Sequence, residues 1–167
     1  LMRAPLAVFL STLLWATLLH AEETTRTPLR AEVLWELQRV GTPVVSPDGQ
    51  HVVVSATRYA DDSNDSETRL WLLNTDKQTS QRALTMRGAT ASAPVFSPDG
   101  DQLAFISKRG NDEVGQIYLL PMTGPGEAIR LTDVPTGVSG LRWVGDYLYF
   151  IASVWPELSW AEMKDRL

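Results

Sequence analysis

Ser46-Pro47-Asp48-Gly49 and Ser97-Pro98-Asp99-Gly100 are one tetrapeptide written twice, 51 residues apart. Two apolar residues precede each copy, Val44-Val45 and Val95-Phe96. An apolar stretch follows each, Val52-Val53-Val54 and Leu103-Ala104-Phe105-Ile106. Within the tetrapeptide, proline fixes φ, aspartate bonds its own backbone two residues on, and glycine takes a left-handed angle. The pattern is a tight turn between two strands, used twice. A repeat of this kind predicts an array of small antiparallel sheets in place of one closed globule.

Reading outward, the first unit continues with a β-branched strand over 51–56, an acidic polar loop over 59–67 and an alternating strand over 68–74. In that strand Leu70 and Leu72 lie on one face, Trp71 and Leu73 on the other. A turn at Thr75-Asp76-Lys77 leads to a short strand over 82–85. The second unit repeats the order: strands over 93–96, 102–107, 116–120 and 128–132, with a polar loop over 108–115. Leu84-Thr85 and Leu131-Thr132 correspond at an offset of 47. A third unit opens with Gly140-Leu141-Arg142-Trp143, turns at Val144-Gly145-Asp146 and runs a second strand over 147–152.

Four short antiparallel strands in roughly every 45–50 residues is the pattern of a β-propeller blade. The expected fold is all-β: a partial β-propeller of two four-stranded blades plus the start of a third, preceded by a signal peptide and a short helix. The expected boundaries are 1–21 for the signal peptide and 22–42 for a linker and helix. Blade one then takes 43–88, blade two 89–136, and the start of blade three, with a helical insertion, 137–167. A propeller needs about 4–8 blades, so the array is expected to be incomplete. Ser159-Trp160-Ala161-Glu162 is a capping box that opens a helix, and Leu167 arrives barely two turns later. This reads as a chain cut short. Such an open array, with uncovered apolar faces, is expected to self-associate.

Residues 1–21 have the character of a secretory signal: Arg3 is the positive start, an apolar run follows, and His20-Ala21 precedes Glu22-Glu23 as the cleavage point. The apolar run is shorter than the ~20 residues of a spanning helix, so no stable membrane anchor is expected after cleavage, and the location is secreted or periplasmic. Beyond the linker, Thr27 and Pro28 suit a helix start. Leu29, Val33, Leu34, Leu37 and Val40 form one helical stripe, ended by Gly41 and Pro43.

The formal charge of −5, with both signs mixed along the chain and no basic stripe, argues against nucleic acid as a partner. No cysteine is present, which excludes disulfides, thiolate metal sites and a cysteine nucleophile, and His20 and His51 are too separated to form a metal cluster. The serines of the two turns could be imagined as nucleophiles. Such a serine needs a base within reach and a strained elbow, and the repeat reads instead as turn geometry. Gly137-Val138-Ser139-Gly140-Leu141 misses the G-x-S-x-G elbow at its last position and reads as a connection between blades. Asp61, Asp62, Asn64, Asp65 and Glu67 lack the central glycine of a calcium loop, and Asn64-Asp65-Ser66 is formally a glycosylation sequon. Trp71 and Trp143 are expected to pack between blades. No catalytic, cofactor-binding or metal-ligating residue is expected within these residues, and no cofactor.

The run Leu34-Trp35-Glu36-Leu37-Gln38-Arg39-Val40-Gly41, followed by Pro43-Val44-Val45-Ser46-Pro47-Asp48-Gly49, resembles the opening segment of secreted prolyl oligopeptidase family serine peptidases. The acylaminoacyl-peptidase and dipeptidyl-peptidase-like branch is the nearest. Phe96-Ser97-Pro98-Asp99-Gly100 with Leu103 to Arg109, Gln116-Ile117-Tyr118-Leu119-Leu120, Arg130-Leu131-Thr132-Asp133, and the Val154-Trp155-Pro156-Glu157-Leu158 insertion are similar to the same group. The resemblance implies a propeller that gates an α/β-hydrolase domain, whose Ser, Asp and His cleave short peptides. None of that triad maps onto this chain, so these residues alone should be inactive. The alternative is a non-enzymatic periplasmic propeller of the Tol type, binding a protein partner.

Overall fold

A computed structural model describes residues 30–59, 65–76 and 81–166. The signal peptide, the linker, the Asp61–Asn64 part of the acidic loop and its sequon asparagine lie outside the described residues. The order of elements is α1 (Ala31–Glu36), β1 (Arg39–Val40), β2 (Val44–Val45), β3 (His51–Tyr59), β4 (Ser66–Asn74), β5 (Gln81–Ala83), β6 (Thr90–Phe96), β7 (Gln102–Lys108), β8 (Gln116–Pro121), β9 (Ile129–Arg130), β10 (Ser139–Val144), β11 (Tyr147–Ile151) and α2 (Trp160–Arg166). They form three antiparallel sheets: β1-β3-β4-β5 with β2 also on β3, then β6-β7-β8-β9, then β10-β11. The strand order read from the sequence holds, but several spans differ: β3 runs on to Tyr59 and β4 starts at Ser66, both inside the expected 59–67 loop, β6 starts at Thr90, and β9 is only Ile129–Arg130.

The helix before the first sheet is shorter than its apolar stripe suggests. It ends at Glu36, and Arg39–Val40 leaves it to pair with Thr57 and Ala56 of β3. A helix of so few residues has little stability of its own, whereas the edge of β3 offers backbone groups that need partners. Leu37 and Val40, expected on the helix's buried stripe, are exposed. The first sheet therefore begins at residue 39, before the expected boundary of 43, and its sheet holds five strands where four were expected. β1 and β2 flank the same edge of β3, so they are one edge strand interrupted at Gly41-Thr42-Pro43, where Gly41 N–H donates to the Ser55 carbonyl at 2.8 Å.

The second sheet is buried on both faces, and its strands show why. Along β7, Leu103 and Phe105 join Val53, Leu70 and Leu72 of the first sheet, together with Tyr118 and Leu120 of β8. The alternate residues, Ala104 of β7 and Ile117 of β8, join Leu141 of the third sheet, with Ile106, Leu119, Trp143 and Leu148 packed around them. Period-two alternation thus sends one set of side chains to each neighbour. Trp143 takes the expected place between sheets. Trp71 does not: it is half-buried on the far face of the first sheet, with the Arg69 guanidinium carbon 5.2 Å from its ring centroid. On β11, Tyr147, Tyr149 and Ile151 are exposed.

Each first strand carries a bulge in the same place. Ser92 pairs with Ile106 and Val95 with Ala104; Ser139 pairs with Ile151 and Arg142 with Tyr149. In the first sheet Val40 pairs with Ala56 and Val44 with Val53. Every time, the first strand advances one residue more than its partner, which is the definition of a bulge and re-aims the side chains beyond it. Ala93 within the second bulge has φ of +50°, a left-handed angle that costs a non-glycine residue energy, and Gly140 in the third has +60°.

Candidate functional site

The two repeated turns have the same wiring, bond for bond. Ser46 Oγ donates to Asp48 Oδ1 at 2.5 Å and accepts from His51 N–H at 2.9 Å, and Gln50 N–H donates to Asp48 Oδ1 at 3.0 Å. Ser97 Oγ donates to Asp99 Oδ1 at 2.5 Å and accepts from Gln102 N–H at 2.9 Å, and Asp101 N–H donates to Asp99 Oδ1 at 3.1 Å. Gly49 and Gly100 close the turns onto the Ser46 and Ser97 carbonyls at 2.9 Å, with φ of +71° and +81°. The serine hydroxyl bond, then the backbone amide, holds each carboxyl below its ordinary value of 3.8. Both serines are buried. Their hydroxyl protons go to a carboxylate two residues away and not to an imidazole, and Gln102 occupies in the second turn the place of His51 in the first. These serines set strand geometry.

A second recurring device closes the outer edge of the first and second sheets. Thr85 Oγ1 accepts from Leu70 N–H at 3.0 Å, and Thr132 Oγ1 accepts from Ile117 N–H at 2.9 Å. The Leu-Thr correspondence seen in the sequence is this latch. Arg69 reinforces the first copy by donating twice to the Thr85 carbonyl, at 3.1 and 2.9 Å. Buried Gln116 reinforces the second. Its Oε1 accepts from Thr132 Oγ1 at 2.8 Å and Val134 N–H at 3.0 Å, and its Nε2 donates to the Val134 carbonyl at 2.8 Å.

Beside Gln116 lies a polar cavity of about 450 Å³ between the 111–116 loop, the 130–135 segment and α2. Asp112 organises it. Its carboxylate accepts from Tyr118 Oη at 2.6 Å and pairs with Arg130 Nε at 3.0 Å; Arg130 Nη2 meets Asp133 at 2.8 Å, and Lys164 Nζ of α2 meets Asp133 at 3.1 Å. Burial, then the bond to Asp112, raises the Tyr118 phenol above its ordinary value. Arg109 lies over the Phe105 and Tyr118 rings at 5.1 and 4.9 Å, and burial lowers its guanidinium. Asp112, Arg130, Asp133 and Lys164 alternate in sign along one chain of ion pairs, which fastens α2 and the loops to the second sheet. The α2 end is the predicted capping box: Ser159 N–H donates to Glu162 Oε2 at 2.8 Å, and Glu162 N–H returns to Ser159 Oγ at 3.3 Å.

A second cavity, of about 510 Å³, opens where the first strands of the three sheets meet. Val44, Val95 and Arg142, the first paired residues after the three bulges, all line it, with Thr42 and Ser55 on one side and Ala93-Pro94 on the other. Sequence reading passed over this cavity, although the repeat register aligns the three positions once the bulges are counted. Ser139, from the near-miss elbow, lies at the start of β10 with its hydroxyl 3.4 Å from the Ile151 carbonyl. Glu67, expected in the acidic loop, lies in β4 and accepts from Gly88 N–H at 2.8 Å. Among the described residues no group of His, Asp and Glu side chains is arranged to hold a metal ion.

No protein-family profile matches the chain. It is similar to an uncharacterized peptidase, YuxL, of Bacillus subtilis, with 31% identity over 118 residues that make up 71% of this chain and 18% of the relative. It is also similar to dipeptidyl-peptidase 5 of Porphyromonas endodontalis, with 29% identity over 136 residues, 81% of this chain and 19% of the relative. The chain thus spans about a fifth of the length of these curated relatives. Among solved structures, the acylaminoacyl peptidase of Pyrococcus horikoshii has the same fold over 72% of this chain and 18% of its own, with a TM-score of 0.57 and 20% identity.

Proposed function

With membership of the prolyl oligopeptidase-family peptidases as the premise, we propose that this chain is the N-terminal part of the β-propeller of a secreted serine peptidase. Each of the first two sheets is one blade and the third is the start of another. Three successive sheets stacked face to face, the middle one buried on both sides, carry the reading, because radial stacking of small antiparallel sheets is how a propeller is built. The apolar residues left exposed on β11 fit a further blade beyond it. The whole protein would hydrolyse short peptides by acyl transfer: a serine attacks the carbonyl, an oxyanion hole holds the tetrahedral intermediate, and water releases the acid. That triad would lie in an α/β-hydrolase domain outside these residues. The propeller would admit short peptides and turn away folded proteins. Export would rest on residues 1–21.

The test is the extended reading frame and its product. Several more four-stranded units followed by G-x-S-x-G, Asp and His are expected, and the purified whole protein should cleave peptides of a few residues while leaving a folded protein intact. A frame that ends after the propeller, or a whole protein inert toward every peptide, would favour the non-enzymatic partner-binding alternative.

A further inference from the structure

We propose that Arg142 forms a carboxylate-binding subsite in the cavity where the first strands converge, a subsite that engages the anionic end of a bound peptide. The proposal rests on the propeller reading for the peptide's presence, and on the repeat itself for the site. The three units place Val44, Val95 and Arg142 at the same register position, the first paired residue after the bulge, and all three line one cavity. Two units supply valine there and the third supplies a guanidinium. Arg142 is exposed, forms no ion pair among the described residues, and its Nη1 donates at 2.8 Å to the carbonyl of neighbouring Leu141. That bond holds one corner of the planar group.

The remaining surroundings suit an anion. Among the described residues no carboxylate lines the cavity, and Thr42 and Ser55 add hydroxyls. The opposite wall is Ala93-Pro94, where the backbone is held at a left-handed angle in a non-glycine residue. Strain of that kind persists where the surroundings over-determine it, and it clusters at sites that bind. An arginine fork matches a carboxylate with two parallel bonds, and lysine cannot reproduce that geometry. The ligand class is therefore a short peptide carrying a carboxylate, either its C-terminal group or an acidic side chain.

The experiment is equilibrium binding by calorimetry to the whole protein, pretreated with a serine-directed phosphonate so that no peptide is consumed. The probes are Gly-Ala-Phe, its C-terminal amide, and Asp-Ala-Phe amide. The free acid should bind about 10-fold more tightly than the plain amide, an effect the size of one charge-assisted pair partly open to water. Arg142→Gln should abolish that difference, leave amide binding unchanged, and leave the melting temperature unchanged; Arg142→Lys should restore part of it. Preference for Asp-Ala-Phe amide over the plain amide would assign the subsite to side chains, and preference for the free acid alone to the C-terminus. Equal binding of acid and amides by the unaltered protein, or a preference that survives Arg142→Gln, overturns the proposal. Failure of the phosphonate to react would count against the peptidase reading and would leave this binding comparison intact.

Discussion

Replacing Phe105 by alanine should loosen two sheets at once. Phe105 is fully buried between the first and second sheets, in one cluster with Val53, Leu70 and Leu72 of the first, and its ring stacks on Tyr118 at 6.1 Å between centroids with 26° between planes. Truncating a buried phenylalanine costs about 3–5 kcal/mol, because the transfer energy of the ring is lost and a cavity remains. The stacking adds to the contact area already counted, so the upper part of that range is expected. Typical domain stabilities are about 5–15 kcal/mol, so the loss is a large share of the whole. Hydrogen–deuterium exchange resolved by segment is the assay. At tenfold per ~1.4 kcal/mol, protection in β3–β4 and β7–β8 together should fall by roughly two to three and a half orders of magnitude. Tyr147→Ala, on the exposed face of β11, should leave exchange in those segments unchanged. Acceleration confined to β7–β8, or less than about tenfold in β3–β4, would refute a core shared between the sheets.

The carboxyls of Asp48 and Asp99 titrate below 3.8 because each is bonded by a serine hydroxyl and a backbone amide. A depressed carboxyl contributes stability above its unfolded pKa and loses it as pH falls through the folded one. The melting temperature should therefore drop on acidification below about pH 4, and the doubly substituted Asp48→Asn, Asp99→Asn protein should show a shallower drop over that window. Asp112→Ala leaves the Tyr118 hydroxyl and Arg130 without their shared acceptor and should destabilise by about 1–3 kcal/mol in urea melts, with α2 the first segment to become protease-sensitive. The isolated 167-residue chain should run above its 18.5 kDa monomer mass in light scattering, and Tyr147→Lys with Ile151→Lys should return it toward monomer by charging the exposed face of β11.

The repeated tetrapeptide made most of the architecture legible. Its proline, aspartate and glycine each have one conformational role, and the strand over 68–74 alternates cleanly enough to place Leu70 and Leu72 on the face opposite Trp71 and Leu73, whereas the all-apolar run Leu103-Ala104-Phe105-Ile106 shows its two faces only in the packed sheets. What stayed hidden has tertiary causes. The stripe through Leu37 and Val40 fits a helix locally, but the free edge of β3 captures residues 39–40. The cluster of Asp112, Tyr118, Arg130, Asp133 and Lys164 joins residues far apart in the chain, and no spacing announces it. The bulges were invisible because one extra residue in a strand leaves no local sequence signal, and only pairing partners reveal that Val44, Val95 and Arg142 are equivalent.

On the proposed function these sheets are a filter, and the chemistry lies elsewhere in a longer peptidase. Labelling with a serine-directed phosphonate, read by intact mass, tests it most directly on two samples: the whole protein and the 167-residue chain. One adduct per molecule on the whole protein, none on the chain, is the predicted result. An adduct on the chain itself, at Ser46, Ser97 or Ser139, would contradict it, as would a whole protein that never reacts.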